Sequence, residues 1–165
     1  AVAMGARVIA LDIDDAKLEQ ARAAGAHATL NVSGIAVQDM RKQVKRLVDE
    51  LGANPFLWKI FETSGTRSGQ ELAYALVGYG ATLSVVGYAA GKIEISLSNL
   101  MAFDAVAQGN WGADPLVYAE LLQWIGDGRI SVRPFVEQRA LADINDVFDQ
   151  AHHGKLSKRV VLVPG

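Results

Sequence analysis

Short apolar runs alternate with segments of helical period along most of the chain. Residues 7–12, Arg-Val-Ile-Ala-Leu-Asp, form a β-branched run between Gly5 and a cluster of aspartates, the pattern of a strand buried on both faces. Asp14 or Asp15 can cap the helix that follows, with Leu18, Ala21 and Ala24 on its inner face and Gly25 stopping it. Residues 28–31 predict a short strand. Val37, Met40, Val44, Leu47, Val48 and Leu51 then recur at helical spacing up to Gly52, and residues 57–62 predict the next strand. Ser68 and Glu71 stand three apart, as in a capping box, at the head of a helix expected to end near Gly78. Residues 81–87 are a further strand-like apolar run.

This β-α-β-α-β succession predicts right-handed crossovers and a parallel sheet with helices on both faces. Beyond Gly87 the pattern changes. Ile93, Ile95 and Leu97 alternate with polar neighbours over residues 92–98, as in a half-exposed strand. Asp114 and Pro115 have the chemistry of a helix start, and Gly126 and Gly128 end that helix. Residues 130–136 read as extended, 143–152 as helical with Gly154 after them, and 159–163 as a last strand. No linker, repeat or low-complexity stretch interrupts the chain. The expected fold is α/β, one Rossmann-type doubly wound domain over residues 1–165.

Residues 1–6 read as the tail of a helix leading straight into a strand. In a dinucleotide-binding unit, the first strand and a Gly-x-Gly-x-x-Gly turn stand about 20 positions before the acidic end of the second strand. Counting back from Asp12 puts that turn before residue 1, so the sequence reads as lacking the first strand and the glycine-rich turn. Two later segments match such loops poorly. Residues 78–83 have Leu83 where the third glycine belongs. Residues 87–92 are one residue short between Gly87 and Gly91 for a phosphate loop, with Ile93 after Lys92.

Composition narrows the function classes. Half of the 165 residues are hydrophobic, enough to bury a core. A net charge of -2 and a pI near 5.9 argue against nucleic acid and anionic membranes as partners. No apolar run approaches the roughly 20 residues that span a bilayer. No secretory signal is visible, and a cytoplasmic protein is the expectation. The absence of cysteine excludes disulfides, thiolate metal sites and a thiol nucleophile.

Asp12 is the sharpest candidate for chemistry. A carboxylate closing the second strand can accept both hydroxyls of an adenosine ribose and repels a 2′-phosphate. Its plainer role is capping, as for Asp14 and Asp15. Lys17, one turn into the helix, can donate to the same ribose or stand as a surface lysine. Thr63 and Ser64, and Val86, Gly87 and Tyr88, follow parallel strands and so belong to the carboxyl edge where ligands bind; tight turns account for them equally well. His27 reads as exposed, and adjacent His152 and His153 point about 100° apart on a helix. Trp58, Trp111 and Trp124 read as core or interface. No metal-ligand spacing and no nucleophile–base set is present.

Residues 7–17, residues 23–26 and Asn31 resemble the stretch after the glycine turn in zinc-dependent medium-chain alcohol dehydrogenases. Residues 61–65, 83–87, 143–148 and 154–162 continue the likeness in order along essentially the whole chain. The resemblance implies an NAD-dependent dehydrogenase whose ribose is held by Asp12 and Lys17. It implies that Arg159 reaches the cofactor pyrophosphate, that the backbone of Val86, Gly87 and Tyr88 flanks the nicotinamide, and that copies pair into a homodimer or dimer of dimers through residues 92–107. The family's zinc ligands and proton relay lie in a separate catalytic domain, so this chain by itself is not expected to turn over substrate. Within the family, residues 58–66, 98–103 and 109–112 resemble the 6-hydroxycyclohex-1-ene-1-carbonyl-CoA dehydrogenases, which oxidise a cyclic hydroxyacyl-CoA with NAD. Two other readings suit the same residues: a non-catalytic Rossmann-like nucleotide-binding or dimerisation module, and a methyltransferase, which also ends its second strand on an acid.

Overall fold

In the computed structural model, which describes all 165 residues, the first apolar run extends as β1 (Ile9–Asp12) and pairs in parallel with β2 (Ala28–Asn31). Asp12 stands opposite Asn31. A parallel pair needs a crossover, supplied by α1 (Asp15–Ala23), whose N-cap Asp14 accepts from the Ala16 N–H at 2.8 Å. Leu18 is the buried residue of α1. The apolar stripe recognised in the sequence folds as α2 (Val37–Glu50) and buries Met40, Val44 and Val48. They pack with Val32 against Ile9, Leu11 and Leu30 of the β1–β2 pair and against Leu72 and Leu76. Removing side chains of this size from water stabilises by about 1.5–3 kcal/mol each.

A second ladder holds β3 (Lys59–Glu62), β4 (Thr82–Val85) and β5 (Val106–Gly109), all parallel and in that order. The crossover from β3 to β4 is α3 (Arg67–Ala75), which buries Ala73 and Tyr74 with Val77, Ala81 and Leu83. The short α4 (Ser98–Ala102) leads into β5. These elements form one compact unit, Ala1–Ala113. A second unit, Asp114–Gly165, contains α5 (Val117–Gly126), β6 (Val136–Ala140), α6 (Ile144–His152) and β7 (Arg159–Val163), with β6 and β7 parallel. The fold is thus α/β, with every strand pair parallel, as expected. No helix is long and apolar enough to cross a membrane.

Several local expectations are corrected. The cap of α3 is Thr66, whose hydroxyl accepts from the Gly69 N–H at 3.0 Å, so the helix starts before Ser68. Glu71 is occupied by the Arg67 guanidinium at 2.9 Å and does not complete a capping box. That helix ends at Ala75, short of Gly78. Residues 92–98 alternate but form no strand: β5 takes the place beside β4, and Ser98 already opens α4. The segment is tied instead to α3, where the Tyr74 hydroxyl donates to the Ser96 carbonyl. At the start of the chain Val2–Met4 is a single 3-10 turn. Of the expected extended run 130–136, Arg133–Phe135 is a 3-10 turn and Val136 alone enters β6. Asp114 accepts from the Leu116 N–H, but α5 begins only at Val117.

Candidate functional site

β3 and β4 end side by side, Glu62 opposite Val85. Both chains then turn in the same place. Glu62 is buried, with 3% of its surface exposed. Its Oε1 accepts from the Ser64 N–H at 2.8 Å, the Ser64 hydroxyl at 2.6 Å and the Gly65 N–H at 3.2 Å. Its main-chain carbonyl accepts from the N–H groups of Val86 and Gly87, both at 2.9 Å. One residue therefore organises the turn after β3 and anchors the turn after β4. Its Oε2 is buried without a partner.

Close approach of the two turns demands glycine on each side. Gly65 has φ +61°, and a Cβ there would stand 2.7 Å from the Tyr88 carbonyl oxygen. A Cβ on Gly87 would stand 2.2 Å from the Gly65 nitrogen. The Gln70 amide donates to the Gly87 carbonyl at 3.4 Å, linking α3 to the same knot. Outside it, Val86 and Tyr88 present exposed side chains. With Val85, Gly109, Asn110 and Trp111 they border an open cleft of about 470 Å³ at the carboxyl ends of β4 and β5. Asn110 fastens that rim: its N–H donates to the Val85 carbonyl at 2.9 Å, and its amide donates to the Ser84 hydroxyl at 2.6 Å. Trp111 stands 99% exposed over it.

The three aspartates after β1 divide their tasks. Asp14 caps α1, and Asp15 accepts from the Asn31 amide at 2.6 Å. Asp12 folds the turn through Oδ1, which accepts from the N–H groups of Ile13 at 2.8 Å and Asp14 at 3.1 Å. Its Oδ2 makes no hydrogen bond within the chain. Lys17 is exposed and forms no ion pair.

The residues singled out from the sequence thus fall into three places. Thr63 and Ser64 lie in the turn after β3, whose Gly65 meets Gly87 and Tyr88 of the turn after β4. Asp12 and Lys17 share the turn from β1 into α1. Arg159 opens β7 opposite Val136 in the second unit. Sequence reasoning passed over Glu62, whose one signal was a carboxylate closing a strand before Thr-Ser-Gly, and Asn110. The chain has no group of three or more His, Asp or Glu side chains able to hold a metal ion.

Residues 1–127 match the family model described as zinc-binding dehydrogenase. An alcohol dehydrogenase of Geobacillus stearothermophilus is 30% identical over 163 residues, which is 98% of this chain and 44% of the relative. The chain therefore spans less than half the length of that relative. The crystal structure of an alcohol dehydrogenase from Aeropyrum pernix superposes with a TM-score of 0.78 at 26% identity, over 96% of this chain and 43% of that one. A short chain alcohol dehydrogenase from Escherichia coli, solved in complex with its cofactor NADH, shares the fold at TM-score 0.72 and 17% identity over 95% of this chain and 44% of its own.

Proposed function

This chain belongs to the zinc-binding dehydrogenase family, and we propose that it is the NAD-binding part of an alcohol dehydrogenase. The observation that carries this reading is Asp12: a carboxylate at the carboxyl end of β1 with one oxygen committed to its own turn and the other free. A free carboxylate oxygen there accepts ribose hydroxyls and repels a 2′-phosphate, selecting NAD over NADP. Lys17, unpaired on the first turn of α1, donates to the same ribose. The knot of Glu62, Gly65 and Gly87 leaves bare backbone beside the cleft bordered by Val86 and Tyr88, the shape a flat nicotinamide ring needs. Thr63 and Ser64 line the same edge, and Arg159 supplies a cation for the pyrophosphate.

Hydride acceptance is the chemistry NAD supplies when bound. In this reading the chain's own residues bind and orient the dinucleotide. They also offer no ligand set for zinc, so they do not activate the alcohol. The same family reading has copies pair through residues 92–107, next to the open edge of β5. A finer reading, oxidation of a cyclic hydroxyacyl-CoA, rests on residues 58–66, 98–103 and 109–112 and is separated from simple alcohols by comparing kcat/KM for the two substrate classes. The primary test is a fluorescence titration with NADH. Saturable binding that Asp12→Ala weakens by about 1–3 kcal/mol is expected, the range for charged hydrogen bonds left unmade. Unchanged affinity removes Asp12 from the site.

A further inference from the structure

The amino ends of β3, β4 and β5 carry a second cavity, at the opposite edge of the sheet from the Glu62 knot. It measures about 370 Å³ and is lined by Phe56, Trp58, Leu76, Val77, Tyr79 and Phe103 below and by Arg41, Lys42 and Lys45 of α2 above. Phe56, Tyr79 and Phe103 form a ladder of edge-to-face contacts with centroids 6.4 and 5.3 Å apart. Phe56 and Tyr79 nevertheless remain more than half exposed.

Three loops build this floor, and the backbone of one is held under strain at Leu57. Leu57 and Asp104 are the only non-glycine residues with positive φ, at 63° and 47°. Each is the neighbour of an aromatic in the ladder. Aspartate tolerates left-handed backbone, but at Leu57 it costs free energy and persists where surrounding contacts impose it. Here the loops are stitched by Leu57 N–H to the Tyr79 carbonyl at 3.0 Å and Gly80 N–H to the Phe103 carbonyl at 2.8 Å. Gly80 has φ +63°, left-handed backbone that favours glycine, and Leu57 Cδ2 occupies the space its Cβ would take.

The charge above the floor is unbalanced. Lys42 pairs with Asp39 at 3.0 Å, but Arg41 and Lys45 have no anionic partner. They stand four residues apart on one helix face, where like charges repel. A chain of net charge -2 thus places two unpaired cations beside exposed aromatic surface. An anion relieves the repulsion, and a flat apolar body covers the rings. The geometry points to a second ligand site at this edge for an aromatic carboxylate, separate from the cleft at the carboxyl edge. Its cavity is within the range of small-molecule pockets.

Isothermal titration of the 165-residue chain with 2-naphthoate tests the site, with neutral 2-naphthamide as the charge control. Saturable one-to-one binding is expected. Arg41→Ala combined with Lys45→Ala changes two exposed positions, and circular dichroism verifies that the fold is kept. That pair should weaken naphthoate about tenfold, and naphthamide should bind the unaltered chain about tenfold more weakly than naphthoate. Phe56→Ala should weaken both compounds. Absence of saturation by about 5 mM naphthoate overturns the proposal. So does equal affinity for the amide, which leaves only an apolar groove. Self-association that competes with naphthoate and disappears in Phe56→Ala also overturns it, by giving the groove to a second copy of the chain.

Discussion

Gly87 lacks a side chain where Glu62 fills the space: a Cβ on Gly87 would stand 2.7 Å from the Glu62 Oε2 and 2.2 Å from the Gly65 nitrogen. Both obstacles belong to the same knot, and one of them is backbone. Relief requires separating the turns after β3 and β4, which breaks the hydrogen bonds that the Glu62 carbonyl accepts. Gly87→Ala should therefore destabilise the fold by about 2–3 kcal/mol, the upper part of the range for overpacking. Urea unfolding followed by circular dichroism measures it. A loss below about 0.5 kcal/mol would show that the turns are not in contact as described.

Glu62 itself separates acceptor from packing. Glu62→Ala strips the acceptor from the N–H groups of Ser64 and Gly65, leaving donors unmade in a buried setting. A loss of about 2–4 kcal/mol is expected, since three hydrogen bonds to one buried acceptor disappear. Glu62→Gln keeps a carbonyl oxygen that can stand at the Oε1 position, with its amide where Oε2 has no partner. It should cost about half as much or less. Equal losses in the two variants would mean that the carboxylate itself is required, since glutamine keeps both the volume and a carbonyl oxygen.

Elements whose cause is local were readable from the residues in order. The stripe from Met40 to Val48 sits on one helix face whatever surrounds it, and α2 forms where the period of 3.6 places it. The strands Ala28–Asn31 and Arg159–Val163 begin and end where the runs do. Residues 92–98 show the limit of that reasoning, because alternation requires a ladder partner that only the tertiary fold supplies or withholds. The Glu62 knot was hidden for the same reason. Gly65 and Gly87 lie 22 positions apart, and only the parallel register of β3 and β4 brings them together.

The start of α3 offers a direct contest between two hydroxyls. Thr66 accepts from the Gly69 N–H, whereas the Ser68 hydroxyl lies beyond the cap, 3.5 Å from the Thr66 hydroxyl. Thr66→Ala should cost about 1 kcal/mol, the usual loss for an N-cap. Ser68→Ala should fall within about 0.5 kcal/mol of the unaltered chain. The reverse ranking in thermal or urea unfolding would move the helix start to Ser68.

Asp12 has two jobs that one substitution can separate. Its Oδ1 folds the turn after β1, so Asp12→Ala should lower both stability and NADH affinity, and the two losses become entangled. Asp12→Asn keeps a carbonyl oxygen for the Ile13 and Asp14 N–H groups and removes the charge that opposes a 2′-phosphate. Stability should stay within about 0.5 kcal/mol. NADH should bind more weakly by about 1–2 kcal/mol, as a charge-assisted hydrogen bond becomes a neutral one. NADPH should lose less or gain, so the ratio of the two affinities narrows. Asp14→Ala is the control for the helix: it removes the α1 cap and should cost about 1 kcal/mol of stability with the NADH-to-NADPH ratio unchanged. If Asp12→Asn leaves that ratio where it was, the free carboxylate at the end of β1 does not select the cofactor.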